Sequence, residues 1–263
     1  MIGRREDLKK AKRIVVKIGT KCITDEKSRL DERKLKKFVG DVLSIRNRRD
    51  IVIVTSGAIG AGVGRMGLSK RPESLPALQA AAAVGQGLLI QAYQKHFDAA
   101  GQPIAQILLS AEDFVDEKRY RNFKNTISTL WRWKVIPVIN ENDTVAVEEI
   151  KVGDNDILSA YVARGVKADL LILLSDVDGL YKRDPKLGKC EMLRLVKMVT
   201  PELERATLRS SRRFGGMFTK VQAAAMAAEA GIATVIANSA RPDILAKILN
   251  GEEEGTLFLP RRS

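Results

Sequence analysis

The sequence predicts an α/β protein, a three-layer αβα sandwich around a mostly parallel central sheet. Short runs nearly continuous in Val, Ile and Leu recur along the chain, and a strand buried on both faces reads that way. Between them lie amphipathic or alanine-rich helical stretches. Strands alternating with helices favour a parallel sheet covered on both faces. With 263 residues and 45% hydrophobic content, the chain can bury the core such a sandwich needs.

Taken in order, Arg13–Ile18 is the first strand. Residues 31–45 place Leu35, Phe38, Val39, Val42 and Leu43 on one stripe at helical spacing. Residues 51–55 form the second strand, and residues 75–97, rich in Ala, Leu and Gln, a long helix. Strands at Ile104–Leu109, 135–139 and 170–174 follow. Thr200-Pro201-Glu202 starts a helix, with Thr as cap, Pro at the first position and an acid in the first turn. The alanine-rich run 221–230 stops at Gly231, a C-terminal cap. Residues 234–237 are the last expected strand, and 242–249 a short helix ending near Gly251. Residues 144–153, with Val145, Val147 and Ile150 beside charges, read as a hairpin-like insertion. No repeat or linker interrupts the chain, so residues 1–263 are expected to be one domain of two lobes divided near residue 168.

Lys and Arg total 45 against 32 Asp and Glu, a net charge of +13. The basic clusters at 4–13, 33–37, 46–49, 209–213 and 261–262 lie at termini and on helix faces, with few aromatic residues among them. Single-strand binding needs such stacking platforms. A solvated basic surface or steering of anionic substrates is therefore expected, and nucleic acid is not expected as a partner. The one histidine, His96, leaves no multi-His metal site and no His-based nucleophile system. Cys22 and Cys190 are far apart without CxxC spacing and read as ordinary thiols. The first twelve residues are polar, and no run approaches the roughly twenty apolar residues that span a bilayer. A soluble cytoplasmic protein without membrane contact is the expectation.

In open α/β sheets ligands bind outside the carboxyl ends of the strands. The first strand ends in Lys17-Ile18-Gly19-Thr20, which can offer an ammonium and backbone N–H groups to a phosphate, a weak signal by itself. The second runs into Ser56-Gly57-Ala58-Ile59-Gly60, whose glycines allow close backbone approach. Gly62-Val63-Gly64-Arg65-Met66-Gly67 matches GxGxxG, but it stands too far past the strand and lacks the later acid of a dinucleotide fold. No Walker A loop occurs. The fourth strand leads into Asn140-Glu141-Asn142-Asp143, followed by Gly153-Asp154-Asn155-Asp156. These acid-amide clusters are either a solvent-lined site for an amine-bearing ligand or a pair of surface Asx turns. Ser175-Asp176-Val177-Asp178-Gly179-Leu180-Tyr181 suits a nucleoside or a plain Asp-Gly turn. Gly215-Gly216-Met217 with Thr219-Lys220 ahead of a helix is an anion site.

Together these segments resemble the amino acid kinase family over nearly the whole chain, from Arg13 to Phe258. The most specific pieces are Pro137-Val138-Ile139-Asn140-Glu141-Asn142-Asp143 and Lys151-Val152-Gly153-Asp154-Asn155-Asp156. They resemble the branch that phosphorylates the glutamate side-chain carboxylate, rather than the relatives acting on acetylglutamate, aspartate, carbamate or uridylate. The resemblance implies ATP with Mg²⁺. It implies Lys17 and Lys220 flanking the transferred phosphoryl group, with Asp156 holding both lysines. It places glutamate at Ser56, Gly57, Ala58, Asn140, Asp143, Asp154 and Asn155. It places ATP at Lys17, Ser175, Asp176, Tyr181, Gly215, Gly216, Met217, Thr219 and Lys220. Residues 1–168 would be the amino-acid lobe and 169–263 the nucleotide lobe. The resemblance also implies a dimer or tetramer, feedback inhibition by proline, and a reductase that takes the glutamyl phosphate product toward proline. Arg213-Phe214 and Phe218 depart from the family's Gly-Thr and Ser at those positions. The C-terminal PUA domain of many bacterial members is not expected, since the sequence stops at Ser263.

The chemistry suits these residue types. A glutamate side chain, with a pKa of about 4.3, is ionised at neutral pH and needs no general base. It needs alignment and relief of charge repulsion, which lysines and backbone N–H groups supply. Two rivals stand: a family member with a different carboxylate or phosphate acceptor, and a basic nucleic-acid-binding protein that kept the fold.

Overall fold

The computed structural model describes residues 2–145, 155–182, 190–210 and 216–261. Among them eight strands form one sheet: β1 (Arg13–Ile18), β2 (Asp50–Val54), β3 (Ile104–Leu109), β4 (Ile136–Glu141), β5 (Leu170–Ser175), β6 (Leu195–Val196), β7 (Ala233–Asn238) and β8 (Thr256–Phe258). Their spatial order is β3-β4-β2-β1-β5-β7-β8-β6. Every pairing is parallel except β7 with β8. The helices are α1 (Glu32–Ile45), α2 (Ala58–Arg65), α3 (Leu75–Asp98), α4 (Glu117–Arg132), α5 (Asn155–Gly165), α6 (Pro201–Ser210), α7 (Met217–Glu229) and α8 (Ile244–Leu249).

The expected three-layer sandwich is the observed one. One face of the sheet packs against α1, α3 and α8 through Phe38, Val42, Tyr93, Phe97 and Leu245. The other packs against α4, α5 and α7 through Phe123, Leu158, Val162, Val221 and Ala224. Strand alternation decides which side chain faces which layer. In β1, Ile14, Val16 and Ile18 belong to the first core and Val15 to the second, so Lys17 points with Val15 toward α5 and α7.

β1 and β5 are neighbours, yet the chain leaves β1 through α1 toward β2 on one side and reaches β7 through α7 on the other. Right-handed crossovers in opposite directions put α1 and α7 on opposite faces and open a crevice at the carboxyl ends of these two strands.

α1 starts where its cap dictates: the Asp31 carboxylate accepts from the N–H groups of Arg33 (2.9 Å) and Lys34 (3.2 Å), a contact worth about 1 kcal/mol. α3 is long and apolar enough to cross a membrane by length and composition alone. It nevertheless sinks Leu89, Tyr93 and Phe97 completely into the core. It crosses α2 with backbones touching: a Cβ on Gly85 would lie 1.8 Å from the Ala58 carbonyl oxygen, and one on Gly62 1.8 Å from that of Ala81. The GxGxxG run therefore serves a helix crossing.

The N-terminal segment is fastened to the other end of the chain. Arg5, in a 3₁₀ turn (Arg5–Lys10), donates to the carbonyls of Arg194, Glu252, Glu254 and Gly255 at 2.7–3.1 Å. The β8 residue Thr256 accepts from the Leu180 N–H at 2.8 Å, tying the loop after β5 to that edge.

Candidate active site

Three charged side chains from three elements meet in the crevice. Asp156, the second residue of α5, is completely buried. Its Oδ1 lies 2.6 Å from Lys17 Nζ at the end of β1, and its Oδ2 lies 2.9 Å from Lys220 Nζ in the first turn of α7. Thr219 Oγ1 also donates to Oδ2, at 3.1 Å. Burial alone would raise the Asp156 pKa, but the two adjacent ammonium groups overcome it and hold the carboxyl well below the usual carboxylate range. The N-terminus of α5 adds a favourable dipole. Among the described residues two ammoniums flank this one carboxylate in a nearly water-free site, and such a pair of donors can meet an anion.

A second constellation lies beside it, built of amides. The Asn155 Nδ2 group donates toward Thr55 O (2.7 Å), Asn140 Oδ1 (2.9 Å) and Ser56 Oγ (3.0 Å). Asn140, 2% exposed at the end of β4, donates in turn to Gln86 Oε1 on α3 at 2.7 Å. Gly57 stands ahead of α2 with φ of +105°, a left-handed conformation suited to glycine, and Ala58 opens that helix. Asp143 sits in the 3₁₀ turn after β4. Burial pushes its carboxyl up to about 6, with Arg71 opposing.

Among the nucleotide candidates, Ser175 ends β5 and donates to Asp176 Oδ1 at 3.2 Å. Asp176 is exposed and paired with Lys21 at 3.1 Å. Gly216 caps α7 and Met217 opens it. Tyr181 bridges to Met192 at the edge of the same loop. A cavity of about 220 Å³ opens on the opposite face of β1, lined by Lys21, Cys22, Lys34, Lys37, Asp176 and Ser239 among others.

The structure thus joins Lys17, Asp156, Thr219 and Lys220 in one cluster and Ser56, Asn140 and Asn155 in another. Asp154 and Gly215, with most of the expected insertion at 144–153, lie outside the described residues. Thr55, Gln86 and Tyr93 were not expected at the site. Tyr93 and Thr55 share a hydrogen bond of 2.9 Å inside the core. Residues 86 and 93 are two helical turns apart, and a polar pair at that spacing on an apolar stripe was the signal available.

The sequence profile of the amino acid kinase family matches residues 12–238. The chain belongs to the amino acid kinase family. Among relatives, the glutamate 5-kinase of Caldanaerobacter subterraneus subsp. tengcongensis is 48% identical over 255 residues, covering 95% of this chain and 68% of that protein. The glutamate 5-kinase of Clostridium tetani is 46% identical over 260 residues, covering 97% of each. Among solved structures, Giardia lamblia carbamate kinase bound to AMP-PNP superposes with a TM-score of 0.67 at 18% identity, over 95% of this chain and 99% of that one. Bacillus anthracis UMP kinase gives 0.64 at 15% identity, over 96% and 97%. At such identities the two structures speak for the amino acid kinase fold alone.

Proposed function

We propose that the protein transfers the γ-phosphoryl group of ATP to the side-chain carboxylate of L-glutamate, giving glutamyl 5-phosphate, the first step of proline biosynthesis. The observation that carries this reading is the convergence of Lys17 and Lys220 on Asp156 at the carboxyl ends of the central strands. The attacking carboxylate and the triphosphate repel each other. The two ammoniums neutralise the charge that gathers on the transferring group, and Asp156 fixes where they stand. Gly216, Met217, Thr219 and Lys220 bring the N-terminus of α7 to the phosphates, with Gly215 before them. Ser175, Asp176 and Tyr181 lie on the nucleoside side. The nucleotide side is thus drawn from 169–263 and the glutamate side from 1–168.

Ser56, Gly57 and Ala58 present the start of α2 to glutamate. Asp143, Asp154 and Asn155 receive its ammonium, and Asn140 backs them. Relatives named glutamate 5-kinase support this acceptor over others in the family. Mg²⁺ would enter on the phosphate oxygens and offset their charge. That suits a site where no three His, Cys, Asp or Glu side chains cluster as ligands among the described residues. The same reading includes a cytoplasmic homo-oligomer, inhibition by proline at or near the glutamate pocket, and a reductase consuming the acyl phosphate.

The test is ADP release with glutamate, acetylglutamate, aspartate and carbamate side by side, with hydroxylamine trapping the acyl phosphate. Glutamate-dependent hydroxamate is expected. ADP release dependent on another acceptor only would overturn the assignment.

A further inference from the structure

The geometry points to Gln86 as a positioning residue that makes Asn155 an acceptor for the substrate ammonium; this rests on the glutamate reading of the site. An amide carries two N–H hydrogens on one side and a lone-pair oxygen on the other. Thr55 O can only accept, so the side of Asn155 facing it is its NH₂ group, at 2.7 Å. That group also meets Asn140 Oδ1 at 2.9 Å. Asn140 faces it with oxygen because its own NH₂ is engaged by Gln86 Oε1 at 2.7 Å. Thr55 O and the Gln86-oriented Asn140 oxygen thus set the same orientation of Asn155, and its Oδ1 is left on the other side.

That oxygen is buried without a hydrogen-bond partner among the described residues. A buried acceptor left open is costly, and a donor that fills it is bound selectively. The α-ammonium of glutamate is such a donor, with the Asp143 carboxylate supplying the charge. If Gln86 loses its acceptor, Asn140 is free to turn. Its NH₂ would then face the NH₂ of Asn155, and the two donors would repel.

α3 can hold this register. Gly85, the residue before Gln86, lies against α2, where a Cβ would meet Ala58 O at 1.8 Å and Gly62 N at 2.5 Å. Gln86 therefore cannot slide relative to the start of α2.

The test compares the full chain with Gln86→Met, which keeps the side-chain length but cannot accept, and Gln86→Glu, which keeps an acceptor oxygen. Three quantities are read: KM for glutamate, KM for ATP, and the Ki of glutarate, the same dicarboxylate without the ammonium. Gln86→Met is expected to raise the glutamate KM about tenfold, the usual scale for one charge-assisted hydrogen bond. The ATP KM and glutarate Ki should stay within about twofold, and Gln86→Glu should recover most of the loss. Equal losses for glutamate and glutarate, or no loss at all, would overturn the relay while leaving the glutamate reading intact. Absence of glutamate turnover in the unmodified chain would sink both. If Gln86→Met does not fold, Gln86→Ala is judged by the same ratio of the two ligands.

Discussion

Replacing Asp156 by Asn keeps the shape of the side chain and removes its charge. In the native site one carboxylate answers two ammoniums, at 2.6 and 2.9 Å, with side-chain exposures of 3% for Lys17 and 8% for Lys220. The substitution removes the carboxylate that both ammoniums share. Removing one partner of a buried ion pair costs about 3–5 kcal/mol. For a large domain each kcal/mol moves Tm by about 2–4 °C, so a fall on the order of 10 °C is expected. The assay is thermal unfolding followed by circular dichroism in phosphate-free buffer, because a bound anion would stand in for the lost carboxylate. Adding ADP should raise the Tm of the variant more than that of the parent. The Asp156 pKa is depressed in the fold. Its stabilisation is therefore fully present above the unfolded value of about 3.9 and is lost only as pH falls below that. The gap between variant and parent should thus hold steady from pH 5 to 8. A Tm within about 2 °C of the parent would refute the idea that Asp156 confines the lysines.

Lys17→Met and Lys220→Met should each lower kcat by about 10²–10³-fold, the scale of removing one pre-organised donor from a transition state, in protein that still folds; steady-state ADP release measures it. Asp143 titrates near 6 because of burial, and only its ionised form attracts an ammonium. The glutamate KM should therefore rise as pH drops below about 6 while the ATP KM stays flat, and Asp143→Asn should remove the dependence. Gly85→Ala should destabilise by about 3 kcal/mol or more, since the added methyl meets the backbone of α2. The matched change Gly87→Ala, on the same helix with nothing within 4 Å, should be neutral or stabilising by about 0.5–1 kcal/mol. Denaturant unfolding separates the two.

The inner strands were legible because burial on both faces favours apolar residues: β1, β5 and β7 are mostly Val, Ile, Leu and Ala, with Lys17 and Thr234 as buried polar exceptions inside them. β6 and β8, of two and three residues, are too short to leave a pattern. α4 left a weak pattern because Phe123 and Ile127 are its only buried side chains in a stretch that is mostly charged or polar. α5 begins inside the acid-amide run, so Asp156 looked like part of a loop although it stands on a helix. α7 starts four residues earlier than its alanine run, at Met217, because Gly216 ends the preceding backbone course. Within the site, the lysines were visible as cations at a strand end and a helix start. The partnership of Gln86 with Asn140 was not, because it spans 54 positions and depends on how closely α2 and α3 cross.

The Arg5 clamp bears on the order in which the protein can assemble during synthesis. Among the described strands β6 pairs with β8 alone, and β8 follows all the others in the sequence. A ribosome that has released residues 1–180 has already made every strand from β1 to β5, but neither β8 nor the four carbonyls that Arg5 will grip. The half of the sheet that adjoins the proposed glutamate pocket can settle early. The loop after β5, held through Thr256, must wait for β8. A nascent chain would therefore complete its proposed nucleotide side only after β8 has been made, and removing either Arg5 or β8 should loosen the same distant corner.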